Sequence, residues 1–123
     1  MAEHYLGVDI GTSGTKALLL EAGGRVRATA TVSHPSLFPR PGWSEQRPDD
    51  WWRSACAAIK LALRKGRVSR DDVAGVGLSG QMHGSVFLDA HGRVLCNALL
   101  WNDQRTGAEC VELERRAGGR EEL

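Results

Sequence analysis

Cysteine is scarce in this chain: only Cys56, Cys96 and Cys110 are present, an odd number without metal-type spacing. That excludes a disulfide framework and a thiolate metal centre, and it predicts a reducing compartment with small buried thiols. Long apolar runs are missing too. No stretch approaches the roughly 20 residues of a membrane span, and the N-terminus has neither the basic flank nor the apolar segment of an export signal, so a cytoplasmic protein is expected. Nor is there an excess of charge of one sign. Sixteen Lys and Arg face fifteen Asp and Glu for a formal charge of +1, which leaves no cationic field to draw a nucleic acid. The expected partner is therefore a small molecule, with no nucleic acid and no membrane. At 123 residues the chain is one domain or part of one.

What the sequence does have is glycine in useful places. Val8-Asp9-Ile10-Gly11-Thr12-Ser13-Gly14-Thr15-Lys16 lies between two short apolar runs, Tyr5 to Ile10 and Ala17 to Leu20. The pattern predicts two strands joined by a tight turn whose backbone N–H groups stay free to face an anion. Asp9 closes the first strand. A carboxylate beside a phosphate is repelled unless a cation lies between them, so Asp9 next to this turn implies magnesium, with Lys16 as a point charge on the phosphate side. A plain hairpin with Asp9 and Lys16 as solvated ends is the competing interpretation. The turn is neither a Walker loop, because Gly-Lys-Ser/Thr is absent, nor a dinucleotide fingerprint, because Gly11 to Gly14 gives only G-x-x-G.

Further along, Gly23-Gly24 predicts a hairpin turn into a third strand, Arg25 to Val32, with Val26, Ala28, Ala30 and Val32 at period two. A proline-rich connector, His34-Pro35 to Pro41-Gly42, leads to Trp43, whose indole is expected to pin the loop by packing. Pro48 opens a helix with Asp49 and Asp50 in its first turn. Trp52, Ala55, Cys56, Ile59 and Leu63 are expected on its buried face, with Gly66 just past its end. The basic cluster Arg64, Lys65, Arg67 and Arg70 is a solvated helix end. A strand from Val73 to Leu78 follows the helical crossover, so it should pair in parallel with the first, Val76 and Leu78 turned inward. Three antiparallel strands, a helix and a parallel strand make an α/β layer of the ribonuclease H type.

Ser79-Gly80-Gln81-Met82-His83-Gly84 leaves that strand at its carboxyl end, where ligands gather in open α/β sheets. Gln81 and His83 donate and accept hydrogen bonds and Met82 offers apolar contact, a set suited to a polyhydroxylated ligand rather than a metal. A hydrogen-bonded structural role is the alternative for His83. Ser85 to Asp89 and Arg93 to Cys96 predict a hairpin around His91, and Leu99 to Trp101 a short strand. Asn102 or Asp103 could cap the last helix, which runs through Val111, Leu113 and Ala117 and gives way to a frayed Arg120-Glu121-Glu122.

The order Asp-x-Gly-Thr-x-x-x-Lys from Asp9 to Lys16 resembles the first phosphate loop of the actin-like ATPases, which include the sugar kinases. Gly80-Gln81-Met82-His83-Gly84 resembles the sugar-facing loop of xylulokinases, and Gly42-Trp43-Ser44-Glu45-Gln46, Trp51-Trp52 and Leu100-Trp101-Asn102-Asp103 with Arg105 fit the same pattern. The resemblance runs from about Tyr5 to Ala117. It implies that residues 1–123 are the N-terminal part of the first actin-like domain of a carbohydrate kinase using ATP and Mg2+. Asp9 would act through the metal, Gly11, Thr12, Ser13 and Lys16 would hold phosphate, and Gln81, Met82 and His83 would meet D-xylulose. Trp101 either walls the sugar or packs, and Asp103 is divided between capping and the sugar. The second domain, the general base and the adenine site of such enzymes lie outside these residues, so the chain alone is expected to be inactive. A kinase for another pentulose or pentitol, a non-catalytic binding remnant, and a two-metal nuclease are the rivals; the nuclease lacks clustered carboxylates near Asp9. A homodimer is possible through faces that would meet the missing domain.

Overall fold

The computed structural model describes residues 3–119. Strand β1, His4–Ile10, lies at the centre of a four-stranded sheet. It pairs antiparallel with β2, Gly14–Glu21, which pairs antiparallel with β3, Val26–Ser33. Helix α1, Pro48–Gly66, then crosses over, and after a short 3-10 turn β5, Val73–Gly80, pairs in parallel with β1. The sheet order β3-β2-β1-β5 is the mixed sheet expected from the order of elements. Two short strands, β4 at Glu45–Gln46 and β6 at Ala98–Leu99, form a separate antiparallel pair, and α2 spans Gly107–Ala117.

Alternation decides which side of the sheet is buried. Leu6, Val8, Ala17, Leu19 and Ala30 point to the face that α1 covers, and Ala58 and Ala62 of the helix meet Ala17 and Ala30 there. Small side chains on both layers allow a close approach. Gly66 is the tightest point: a Cβ there would lie 2.6 Å from Leu19 Cδ2. Gly66 is thus the last residue of the helix, chosen for packing, and Arg67 rather than glycine takes the left-handed cap at φ 54°. Its N–H reaches back to Arg64 and Leu63, which satisfies orphan carbonyls of the last turn and offsets the strain.

Five other expectations need correction. The buried stripe of α1 is Ser54, Ala55, Ala58, Ala62 and Gly66, so Trp52 stands 73% exposed while Cys56, Ile59 and Leu63 are half-buried. The helix is rotated so that its smallest residues meet the sheet. Val76 and Leu78 are exposed, Leu78 at 78%, because β5 is an edge strand beyond the reach of α1. The hairpin after Gly84 is reduced to an isolated bridge, Leu88 to Val94, and the strand placed at Leu99 to Trp101 is Ala98–Leu99. Cys96 and Cys110 are exposed and Cys56 half-buried, since two of the three thiols fall on a loop and on α2, which no sheet face covers. The Arg120-Glu121-Glu122 expectation lies outside the described residues.

Candidate active site

The turn after β1 is closed by Gly11 N–H donating to Gly14 O at 3.0 Å. Gly14 is required sterically, because a Cβ there would sit 2.7 Å from Val32 O. Asp9 and Lys16 are register partners on adjacent strands and both side chains are exposed. With Gly7, Leu18, Gly77 and Ser79 they line an open cleft of about 370 Å³ on the face opposite α1. Among the described residues neither side chain enters a hydrogen bond or ion pair, so both remain available to a ligand.

The second loop is tied directly to the first. Gln81 N–H donates to Ile10 O at 2.9 Å, and Thr12 Oγ1 donates to Gln81 Oε1 at 3.2 Å. Trp101 Nε1 reaches Thr12 Oγ1 at 3.3 Å. Thus Thr12, Gln81 and Trp101, named separately from sequence, are brought together. His83 joins Ile10, Trp51, Ser79, Gly80, Gln81 and Gly84 around a neighbouring cavity of about 250 Å³. Its backbone sits at φ 62°, a left-handed conformation that costs a non-glycine residue of order 1 kcal/mol and is common where a side chain is held for function. Met82 is exposed on the same loop.

Asp103 stands apart from that group. Its carboxylate is 3% exposed and accepts from Ser44 N–H at 2.7 Å, from Arg105 N–H at 3.0 Å and from the Arg105 guanidinium at 2.7 to 3.0 Å. Arg105 also reaches Glu45 Oε1 at 2.7 Å and stacks 3.7 Å over the Trp43 ring, which explains how that indole pins the connector. Neither Asn102 nor Asp103 caps α2: Thr106 holds the cap position and makes no side-chain cap bond. The Asp103 oxygens are instead spent on fixing the loop that carries Trp101.

The Arg105 guanidinium, followed by the Ser44 and Arg105 amides, holds the Asp103 carboxyl far below the usual carboxylate range, against the opposing pull of burial. Glu45 is lowered as well, by its hydrogen bonds from Asn97 and then Arg105. A carboxyl lowered on folding contributes stability that is present above its unfolded value, near 3.9 for Asp, and is lost as pH falls toward the folded value. Asp103→Asn is expected to lower the urea midpoint at pH 7 and to flatten the loss of stability between about pH 4 and pH 2. An unchanged pH profile in that variant would show that the pair does not couple to folding.

Two residues that did not stand out in the sequence organise the site. Gln46 is fully buried, and its amide nitrogen donates to Thr12 O at 2.6 Å and Ser36 Oγ at 2.8 Å. Its oxygen accepts from Trp51 Nε1 at 2.8 Å and Gln81 Nε2 at 2.9 Å. Every hydrogen-bonding position of the amide is used. His34, also buried, lies 2.9 Å from Gly11 O and 3.0 Å from Ser54 Oγ. Gln46 carried a sequence signal only as part of Trp-Ser-Glu-Gln; its partners Thr12 and Gln81 are 34 and 35 positions away.

Magnesium fits the donors present. Among the described residues no three His, Cys, Asp or Glu side chains gather into a cage, yet magnesium typically takes one or two carboxylates and completes its shell with phosphate oxygens and water. Exposed Asp9 beside the turn meets that requirement.

Sheet order, the turn with its carboxylate and the adjoining polar loop define an actin-like ATPase fold of the sugar-kinase type. Residues 4–123 match the family described as the FGGY family of carbohydrate kinases, N-terminal domain, and the chain belongs to that family. It is 47% identical over 112 residues to the xylulose kinase of Escherichia coli (strain K12), covering 91% of this chain and 23% of that protein. A glycerol kinase of Janthinobacterium sp. (strain Marseille) is 33% identical over 124 residues, covering 100% of this chain and 24% of the relative. Among solved structures, a xyloylose kinase from Brucella ovis superposes with a TM-score of 0.88 at 40% identity, over 94% of this chain and 24% of that one. The chain therefore spans about a quarter of the length of the relatives it matches.

Proposed function

We propose that this chain forms part of a D-xylulose kinase, which transfers the terminal phosphoryl group of ATP to the C5 hydroxyl and yields D-xylulose 5-phosphate. In this reading it is the leading portion of the first of two lobes, in a cytoplasmic enzyme. The observation that carries it is the hydrogen bond from Thr12 in the phosphate turn to Gln81 in the polar loop, which sets the two ligand surfaces side by side. Xylulose kinases among the most similar relatives favour the ketose, and the glycerol kinases make glycerol the substrate to test against it.

Phosphoryl transfer demands mainly positioning and charge stabilisation. The N–H groups of Thr12 and Ser13 and the Lys16 ammonium would hold the phosphate oxygens, while Asp9 would hold the magnesium that neutralises charge on them. Met82 and His83 would orient the sugar, with Gln81 keeping their loop in register, and Trp101 would wall the site through its anchor on Thr12. Asp103 acts here by fixing the Trp101 loop. No residue of the chain is assigned as the base, and positioned proton transfer commonly contributes about a hundredfold to ten-thousandfold.

Coupled ATP-to-ADP turnover provides the test. The 123-residue chain alone should show no turnover with D-xylulose above a no-sugar control. A polypeptide carrying this chain with a second lobe should prefer D-xylulose over glycerol, other pentuloses and pentitols by kcat/KM. Preference for glycerol would move the assignment to the other kinase class.

A further inference from the structure

Three consecutive carbonyls of the phosphate turn are fixed from behind. Gly11 O lies 2.9 Å from His34 Nε2, Thr12 O accepts from Gln46 Nε2 at 2.6 Å, and Ser13 O accepts from the His34 N–H at 3.3 Å. A carbonyl cannot donate, so the hydrogen in the first of these must be on Nε2. The other ring nitrogen, Nδ1, faces Ser54 Oγ, itself 2.7 Å from Thr15 Oγ1 and 3.0 Å from Trp51 O. A buried chain thus runs from helix α1 through His34 to the turn.

In a planar trans peptide the C=O of one residue and the N–H of the next point in opposite directions. Holding Gly11 O inward therefore aims the Thr12 N–H outward, and holding Thr12 O inward aims the Ser13 N–H outward. Among the described residues neither amide has a partner on the protein. We propose that His34 and Gln46 are positioning residues of the phosphate site, a clamp on two carbonyls that presents the following two N–H groups to the anionic oxygens of a nucleotide's terminal phosphate. This rests on the kinase reading above.

The test uses the 123-residue chain labelled with 15N and titrated with magnesium-ATP, magnesium alone serving as the control. In the parent, the imidazole spectrum is expected to show His34 protonated at Nε2, and the Thr12 and Ser13 amides should shift with nucleotide. His34→Leu, which removes the donor at similar volume, should weaken the apparent Kd at those amides by about tenfold or more. His34→Gln, which offers an N–H near the Nε2 position, should stay within about threefold of the parent. Gln46→Met, which removes the donor to Thr12 at similar volume, should weaken it like His34→Leu, and an unchanged nucleotide response in that folded variant would remove Gln46 from the clamp.

A parent His34 bare at Nε2 would overturn the clamp without any variant. So would a nucleotide response that survives unchanged in His34→Leu, or one lost in a folded His34→Gln chain. A parent chain whose residues 9–16 ignore nucleotide altogether would overturn the clamp, whereas the kinase reading falls only if the polypeptide with a second lobe shows no sugar-dependent ATP turnover, which separates the two kinds of failure.

Discussion

In a polypeptide that joins this chain to a second lobe, the proposed function makes Asp9→Ala reduce magnesium-dependent phosphoryl transfer by about a thousandfold or more, roughly 4 kcal/mol of transition-state stabilisation, while leaving the fold intact. The asymmetry comes from where Asp9 sits. Its side chain is exposed at the end of β1 and makes no hydrogen bond or ion pair among the described residues, so its removal breaks nothing within the domain. Its neighbours are Lys16 and the turn proposed to hold phosphate, and a triphosphate placed there would need its charge balanced. Asp9→Asn preserves the shape and removes the charge, and it should fall nearly as far. The measurement is kcat/KM for ATP at saturating sugar and several magnesium concentrations, with thermal unfolding of the same samples. A variant that loses activity only in proportion to lost stability would return Asp9 to the status of a solvated strand end.

Gln46→Leu should do the opposite: it should weaken the fold first. The side chain is fully buried and all four of its hydrogen-bonding positions are taken, by Thr12 O, Ser36 Oγ, Trp51 Nε1 and Gln81 Nε2. Leucine has similar bulk but strands those four groups, and each buried polar group left unpaired costs about 1–3 kcal/mol. Water and rearranged partners recover part of that, which leaves an expected loss of roughly 3–5 kcal/mol, a large share of the 5–15 kcal/mol typical of a domain. Urea unfolding of the 123-residue chain reads the loss directly. A change below about 1 kcal/mol would mean that the partners find each other without Gln46, and the network would then be a consequence of the fold rather than a support for it.

The two variants also mark what was readable before the structure. Asp9, the glycines beside it and Lys16 are local: nine consecutive residues from Val8 to Lys16, with strand-forming runs on either side, describe a turn with charged flanks. The sheet was readable for the same reason, because period two in β1 to β3 and period 3.6 in α1 leave few ways to connect them. The buried stripe of α1 departs from the face that helical spacing predicts. Trp52 is the largest apolar residue nearby, yet alanines and Gly66 meet the sheet, because the close approach of Ala17 and Ala30 leaves no room for an indole. Val76 and Leu78 have the right period for burial, but nothing in β5 states that it is an edge.

Asp103 and His34 illustrate a different limit. A carboxylate after a tryptophan can cap, bind or pair, and only the placement of Arg105 and Ser44 N–H around it selects pairing. A histidine before proline in a connector has no visible partner until Gly11 on one side and Ser54 on the other are brought to its ring. The sequence by itself determined the order of the strands, the glycine-bearing turn between β1 and β2 and the family motifs, since these depend on neighbours in the chain and on side-chain period. Only the tertiary structure decided which polar groups hold that turn in place. Their hydrogen bonds join segments twenty or more residues apart, and their directions depend on how α1 and the connector pack against the sheet.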